Sequence, residues 1–140
     1  MNINSYRVLG TMSGTSIDGI DMTLAITNGK VLKNLNNIYF KYNHNEKKIL
    51  NEIINNFSKR DKTHSEEIIT NLYIKYLKKF GNNNQYDFIG FHGQTVLHNP
   101  SSGQSLQIGN VKKICKVMKK NIIYDFRSND LKHKGQGAPI

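Results

Sequence analysis

The chain reads as an α/β protein, with a mixed sheet that opens as an antiparallel three-stranded meander and is flanked by helices. Three observations predict this. Apolar alternation of period two brackets an Asn28-Gly29 turn near the start, and two stretches of helical periodicity follow. Short apolar segments then alternate with a third helical stretch, giving the order β-β-β-α-α-β-α-β.

The elements follow in order. The first strand spans 6–12, with Val8 and Leu9 leading into a polar turn. In the second, 20–28, the apolar residues are Ile20, Met22, Leu24 and Ile26. Asn-Gly suits a two-residue hairpin, because both residues tolerate the positive φ angles such turns demand. A less regular extended segment, 30–42, completes the meander. In 46–57 the residues Ile49, Leu50, Ile53, Ile54 and Phe57 form one helical stripe, and in 65–80 so do Ile68, Ile69, Leu72, Tyr73, Tyr76, Leu77 and Phe80. Thr63 and Glu66 have capping-box spacing, and Gly81 stands where a C′ glycine belongs. The 58–62 link is polar. A buried strand over 86–92 ends in His92-Gly93-Gln94-Thr95. After a loop over 99–103 come an extended stretch (105–108), a helix marked by Val111, Ile114, Cys115 and Met118, and a strand (121–124). Asp125-Phe126-Arg127 and a glycine-rich end follow. No internal repeat or interdomain linker interrupts the chain.

At 140 residues the chain is long enough for one compact domain with its own core. It starts at Met1 with no apolar leader, and no apolar run approaches the roughly 20 residues of a membrane span. The single cysteine, Cys115, cannot form an internal disulfide and reads as a small buried residue. A cytoplasmic protein with no membrane partner is the expectation. The net charge is +10, with a pI near 9.7. The charge is nearly all lysine, spread along the chain among abundant asparagines such as 34, 36–37 and 82–84. Nucleic-acid binders concentrate Arg and Lys on one face with aromatics between. The densest run, 112–120, sets its lysines largely opposite an apolar stripe, as a solvated helix face does. No nucleic-acid partner is expected.

The chemistry-bearing stretch is Gly-Thr-Met-Ser-Gly-Thr-Ser-Ile-Asp-Gly-Ile-Asp, residues 10–21. Glycines and hydroxyl residues between two strands let backbone N–H groups converge into a nest that holds anions, above all phosphates. Taken alone, such a turn is equally an ordinary solvent-facing hairpin.

Two further segments join it: Gly-Phe-His-Gly-Gln-Thr-Val-Leu-His (90–98) with Leu-Gln-Ile-Gly (106–109), and Asp-Phe-Arg (125–127) with Gly-Gln-Gly-Ala-Pro (135–139). In this order and spacing the three resemble the anhydro-N-acetylmuramic acid kinase family, of the actin-like ATPase (ribonuclease H-like) superfamily. The resemblance covers essentially the whole chain. It implies an enzyme that opens the 1,6-anhydro bridge of anhydro-N-acetylmuramic acid with water and phosphorylates the released 6-oxygen from ATP. The product is N-acetylmuramate 6-phosphate, in cell-wall sugar recycling. It implies that Gly14, Thr15, Ser16, Ile17, Asp18, Gly19, Ile20 and Asp21 face ATP. Asp18 either orients Mg²⁺ through water or simply forms an Asx turn. Met12 stands where many members of the superfamily carry an aspartate.

His92, Gln94, Arg127 and Gln136 are the residues placed near the sugar. Arg127 suits the bidentate binding of the substrate's lactyl carboxylate, or else an ion pair with Asp125 or Asp130. Gln136 equally shapes a loop. Family members run to well over twice this length in two lobes. Their water-activating aspartate lies in a later Asp-Thr-Gly-Pro-Gly-Asn type segment, so no catalytic residue is assigned here. Residues 1–140 then correspond to an incomplete N-terminal lobe, inactive alone, of an enzyme for which a homodimer is admitted. A non-catalytic nucleotide- or sugar-binding lobe is the alternative, and the reading frame downstream of Ile140 discriminates between the two.

Overall fold

The computed structural model describes residues 5–57, 61–81 and 86–137. Most of the 58–62 link, Asn82–Asn84 and the Ala138-Pro139 end of the last motif lie outside them. The meander forms, but its second hairpin closes through a four-residue loop, 28–31, in place of the two-residue Asn28-Gly29 turn. Thr27 pairs with Leu32, only Gly29 of the Asn-Gly pair has positive φ, and Asn28 Oδ1 accepts from the N–H groups of Lys30 and Val31. Strands β1 (Tyr6–Ser13), β2 (Gly19–Thr27) and β3 (Leu32–Lys41) pair antiparallel. Helices α1 (His44–Asn55) and α2 (Lys62–Gly81) lead to β4 (Phe88–Asn99) and a short 3₁₀ turn. Then come β5 (Gln104–Ile108), α3 (Val111–Met118), β6 (Asn121–Tyr124) and a five-residue α4 (Ser128–Lys132).

Among the described residues the six strands make one sheet, ordered β3-β2-β1-β4 with both β5 and β6 on the far edge of β4. Strand β6 runs parallel to the first half of β4, and β5 runs antiparallel to its second half. Parallel pairing of β1 with β4 and of β4 with β6 brings the carboxyl ends of β1 and β6 beside the middle of β4. The helices pack their stripes on one face. Leu9, Ile20, Met22, Leu24, Ile89 and Phe91 from the strands meet Leu50, Ile53, Ile69, Tyr73, Leu77 and Ile114 from the helices in one cluster. Burial of these apolar side chains is the main force holding the layers together.

Several local expectations are corrected. The capping box sits on α1. Asn43 Oδ1 accepts from the Glu46 N–H at 2.9 Å, and Glu46 Oε2 accepts from the Asn43 N–H at 2.8 Å. At α2 the cap is Asp61, whose Oδ1 accepts from Thr63 N at 2.8 Å, because the helix begins earlier than Thr63 would allow. Gly81 is the last helical residue and lacks the left-handed backbone of a C′ glycine. Cys115 is half-buried at the edge of α3, since Ile114 takes the inward position. The 86–92 strand starts at Phe88 and runs to Asn99, so His92 to Thr95 lie within it.

Glu46 also fastens α1 to α2, accepting from Lys75 Nζ at 2.6 Å and Tyr76 Oη at 2.7 Å. Partial burial pushes its carboxyl pKa up, but these donors outweigh that and hold it below the usual value. Tyr73 is the opposite case. It is fully buried, and its hydroxyl makes no well-formed hydrogen bond among the described residues: the nearby Ser13 hydroxyl already accepts from Tyr42 and donates to Gln94. A sealed hydroxyl without a partner is destabilising, so Tyr73→Phe is expected to raise the unfolding free energy by about 1 kcal/mol. Urea unfolding of both chains measures this, and a lower midpoint in the variant would overturn it.

Candidate functional site

The three sequence motifs come together where β1 and β6 end beside the middle of β4, and open α/β sheets place ligands at such strand ends. From β1 the chain enters the Gly14–Asp18 turn, closed by Ile17 N–H donating to the Gly14 carbonyl at 3.4 Å. Thr15 and Ser16 are exposed, while Ile17 is buried with φ of 55°. A β-branched residue in the left-handed region stores strain of roughly 1–3 kcal/mol, and such strain clusters at ligand clamps. Burial of the Ile17 side chain in the core holds it there.

The two glycines of the turn differ. A Cβ on Gly19 would lie 2.4 Å from the Phe40 carbonyl oxygen, so packing alone demands glycine there. A Cβ on Gly14 would meet nothing nearer than the Ser16 hydroxyl at 3.8 Å, and its φ is not left-handed. The fold leaves room at Gly14, on the side where Ser16 N faces. Glycines that the fold does not need are the ones a close ligand explains.

Of the remaining turn residues, Ile20 points into the core and Asp21 is exposed. Asp18 lies on the surface, its Oδ1 3.0 Å from Lys47 Nζ. The hydrogen bond and charge of Lys47 hold its carboxyl below the usual carboxylate value. Its backbone carbonyl accepts from Tyr42 N at 3.0 Å, which ties the turn to the end of β3. No cluster of three or more His, Cys, Asp or Glu side chains occurs among the described residues. Exposed Asp18 is the acid here that would suit Mg²⁺, which can take a single carboxylate and fill its remaining positions with water and phosphate oxygens. Asp21, between core-facing Ile20 and Met22, points to the other face of the sheet.

On β4 two residues, His92 and Gly93, stand opposite the single Met12 of β1. The register passes from Thr11↔Phe91 to Ser13↔Gln94. Gly93 supplies φ of 78° for this bulge. On the other edge, β6 stops at Tyr124 opposite Phe91, and β5 stops at Ile108 opposite Gln94. His92 and Gly93 are therefore unpaired between two strand ends. A cavity of about 210 Å³ opens there, lined by His92, Gly93, Gln107, Tyr124, Asp125 and Ser128 among others.

His92 Nδ1 bonds to the Gly93 carbonyl at 2.9 Å, so it carries the proton, and Nε2 accepts from Arg127 Nε at 2.9 Å. Burial, helped by the Arg127 charge, lowers the histidine pKa and keeps the ring neutral. Arg127 itself is only 4% exposed, and burial lowers its pKa too. Neither acid expected as its alternative partner pairs with it. Asp125 accepts from the Ser128 hydroxyl, and Asp130 Oδ2 accepts from Gly137 N at 2.7 Å. With Nε on His92, the terminal nitrogens keep a bidentate edge that no described residue occupies. A buried cation with no anion is costly unless one binds.

Gln94, expected near a sugar, is instead fully buried. Its Oε1 accepts from Ser13 Oγ at 2.8 Å and its Nε2 donates to the Gly14 carbonyl at 3.0 Å. Gln136 is exposed on a loop that Asp130 pins through Gly135 and Gly137. Sequence reasoning did not assign Ser13, Gln107, Tyr124 or Ser128, and it considered Asp125 only as a partner for arginine. Ser13, Asp125 and Gln107 do lie inside the three motifs.

Comparison with known proteins places this geometry in context. The family model described as anhydro-N-acetylmuramic acid kinase matches residues 6–140. Relatives named anhydro-N-acetylmuramic acid kinase include those of Pelagibacter ubique, 36% identical, covering 96% of this chain and 39% of the relative, and of Zymomonas mobilis, 37% identical, covering 94% and 40%. The chain thus spans about two-fifths of the length of the relatives it matches.

The neutral His92 gives a pH prediction. A histidine whose folded pKa lies below its unfolded value of 6.5 binds protons more readily unfolded, so stability rises with pH across that interval. Unfolding free energy is expected to fall as pH drops below about 6.5, and to level off below the depressed folded value. His92→Asn removes this component. Urea unfolding from pH 8 to pH 5 on both chains measures it, and identical pH profiles would overturn it.

Proposed function

The chain belongs to the anhydro-N-acetylmuramic acid kinase family, and from that premise we propose that it forms the N-terminal, nucleotide-side lobe of a two-lobe, actin-like sugar kinase. The kinase acts on 1,6-anhydro-N-acetylmuramic acid. The observation that carries this reading is the unneeded glycine at position 14, set beside exposed Thr15 and Ser16 at the end of β1.

Residues 14–21 divide the work. Gly14 lets phosphate oxygens approach the backbone, and the amides and hydroxyls of Thr15 and Ser16 donate to them. Phosphoryl transfer needs positioned donors and neutralised charge more than covalent help. Ile17, Gly19 and Ile20 fix the turn on the core. Asp18 would hold Mg²⁺, directly or through water, in exchange for its exposed and weakly held pair with Lys47. The bound ion would neutralise phosphate charge.

The cavity between β5 and β6 receives the sugar. Neutral His92, which lines it, faces its polar groups. Arg127, bonded behind His92 and outside the cavity lining, extends its terminal nitrogens to the lactyl carboxylate in a bidentate pair. Gln136 approaches from the loop. Water adds to the anomeric carbon as the anhydro bridge opens, and the freed 6-oxygen takes the phosphoryl group. The base that activates this water lies on the second lobe. The setting is the cytoplasm, in cell-wall sugar recycling, and the full-length enzyme is a candidate homodimer. Among the described residues no helix is long and apolar enough to cross a membrane.

Two experiments test this. Gly14→Val fills the open approach without disturbing packing, so Mg²⁺-ATP binding should weaken at least about tenfold while sugar binding holds. Arg127→Lys keeps the charge but loses the fork, so sugar binding should fall by about tenfold while ATP binding holds. Separate titrations with each ligand read both variants. Unchanged ATP affinity in the Gly14 variant would return residues 10–21 to a plain hairpin. Second, a coupled ADP-release assay with the anhydro sugar is expected to show no turnover by these 140 residues alone. General-base catalysis contributes roughly 10²–10⁴-fold. Clear substrate-dependent turnover would overturn the two-lobe assignment.

A further inference from the structure

We infer that Gln94 is a positioning residue: its carboxamide grips the Gly14 carbonyl and so aims the Thr15 amide outward, toward the face where phosphates would lie. The inference rests on the ATP reading of the turn.

A directed chain of hydrogen bonds runs from the core to that turn. Tyr42 Oη donates to Ser13 Oγ at 2.9 Å, Ser13 Oγ donates to Gln94 Oε1 at 2.8 Å, and Gln94 Nε2 donates to the Gly14 carbonyl at 3.0 Å. All three hydroxyl and amide groups are buried. The direction has one consistent assignment. A flipped amide would set Oε1 against the Gly14 carbonyl oxygen, two acceptors with no proton between them. Such a buried series polarises along its length, which strengthens each link.

The effect on the turn follows from peptide geometry. A trans peptide is planar, with its C=O and N–H pointing in opposite directions. The Gly14 carbonyl is held inward by Gln94 Nε2 and Ile17 N–H, so the Thr15 N–H on the same peptide plane points outward. That amide has no acceptor among the described residues, and Thr15 is exposed. Ser16 N lies on the open side of Gly14, 4.0 Å from where a Cβ would stand. Gln94 reaches this position only because the bulge at His92-Gly93 turns it to the core face beside Phe91. A direct sugar contact by Gln94 would require breaking this chain.

The test uses the 140-residue chain, with Mg²⁺-ATP as the probe. Gln94→Glu keeps an acceptor for Ser13 but has no N–H for the Gly14 carbonyl. Its Gly14 carbonyl and Thr15 amide resonances are expected to shift, and Mg²⁺-ATP affinity, followed on the amides of 14–17, to fall by about tenfold. Tyr42→Phe keeps the ring and removes only the first link, with an expected loss of about two- to fivefold. It decides the matter if the Gln94 variant does not fold. Unmoved Thr15 resonances, or affinity within about twofold of the parent in both variants, would overturn the inference. If the parent's amides at 14–17 do not respond to Mg²⁺-ATP at all, the ATP reading fails. The positioning role is then decided by the Gly14 and Thr15 resonances alone.

Discussion

The mismatch between β1 and β4 is the constraint on which the rest of this architecture depends. One residue of β1, Met12, faces two of β4, His92 and Gly93. In an unbroken strand Phe91 and Gln94 would point to opposite faces. The extra residue reverses the alternation, so that both are buried on the helical side, and His92 is left facing away between two strand ends. Ser13 meets Gln94, and His92 meets Arg127, only in that register. The left-handed Gly93 makes the reversal affordable.

Much of this was legible in the residues. The helical stripes and the period-two strands are local signals, and those elements formed close to their expected spans. The Asn28-Gly29 signal marked the right place for a turn but not its length, which is four residues. The three motifs were legible as chemistry because their residue types are unsuited to a plain core. The bulge was not legible. His-Gly-Gln-Thr looks like a polar end to a strand, and nothing local says that the strand continues to Asn99. Gln94 therefore resembled a ligand contact, when its partners come from Ser13 and Gly14, some 80 residues away. Capping misled for a similar reason. Thr63-Glu66 has the right spacing, but Asp61 is nearer the true start of α2.

Charge separates into two kinds. The lysines that carry most of the basic excess are solvated or lie in surface pairs, such as Lys113 with Glu67 at 3.4 Å, and surface pairs contribute little. Arg127 differs in that it is buried, bonded to a neutral histidine and without a carboxylate partner among the described residues. The net charge of the chain therefore says little about its partners, whereas one enclosed guanidinium says a good deal.

The cavity between β5 and β6 has a further consequence. It lies over a gap in the ladder two residues wide, His92 and Gly93, the stretch of β4 that neither strand covers. That width is set by hydrogen-bond ladders, so it changes only in whole register steps. Strand residues advance by about 3.3 Å, and a slip of one residue would turn every side chain of β5 or β6 to the wrong face. The backbone frame behaves as a gauge with fixed settings. Any drift in the size of this cavity must come through side chains such as Gln107, Tyr124 and Ser128, with the sheet unchanged.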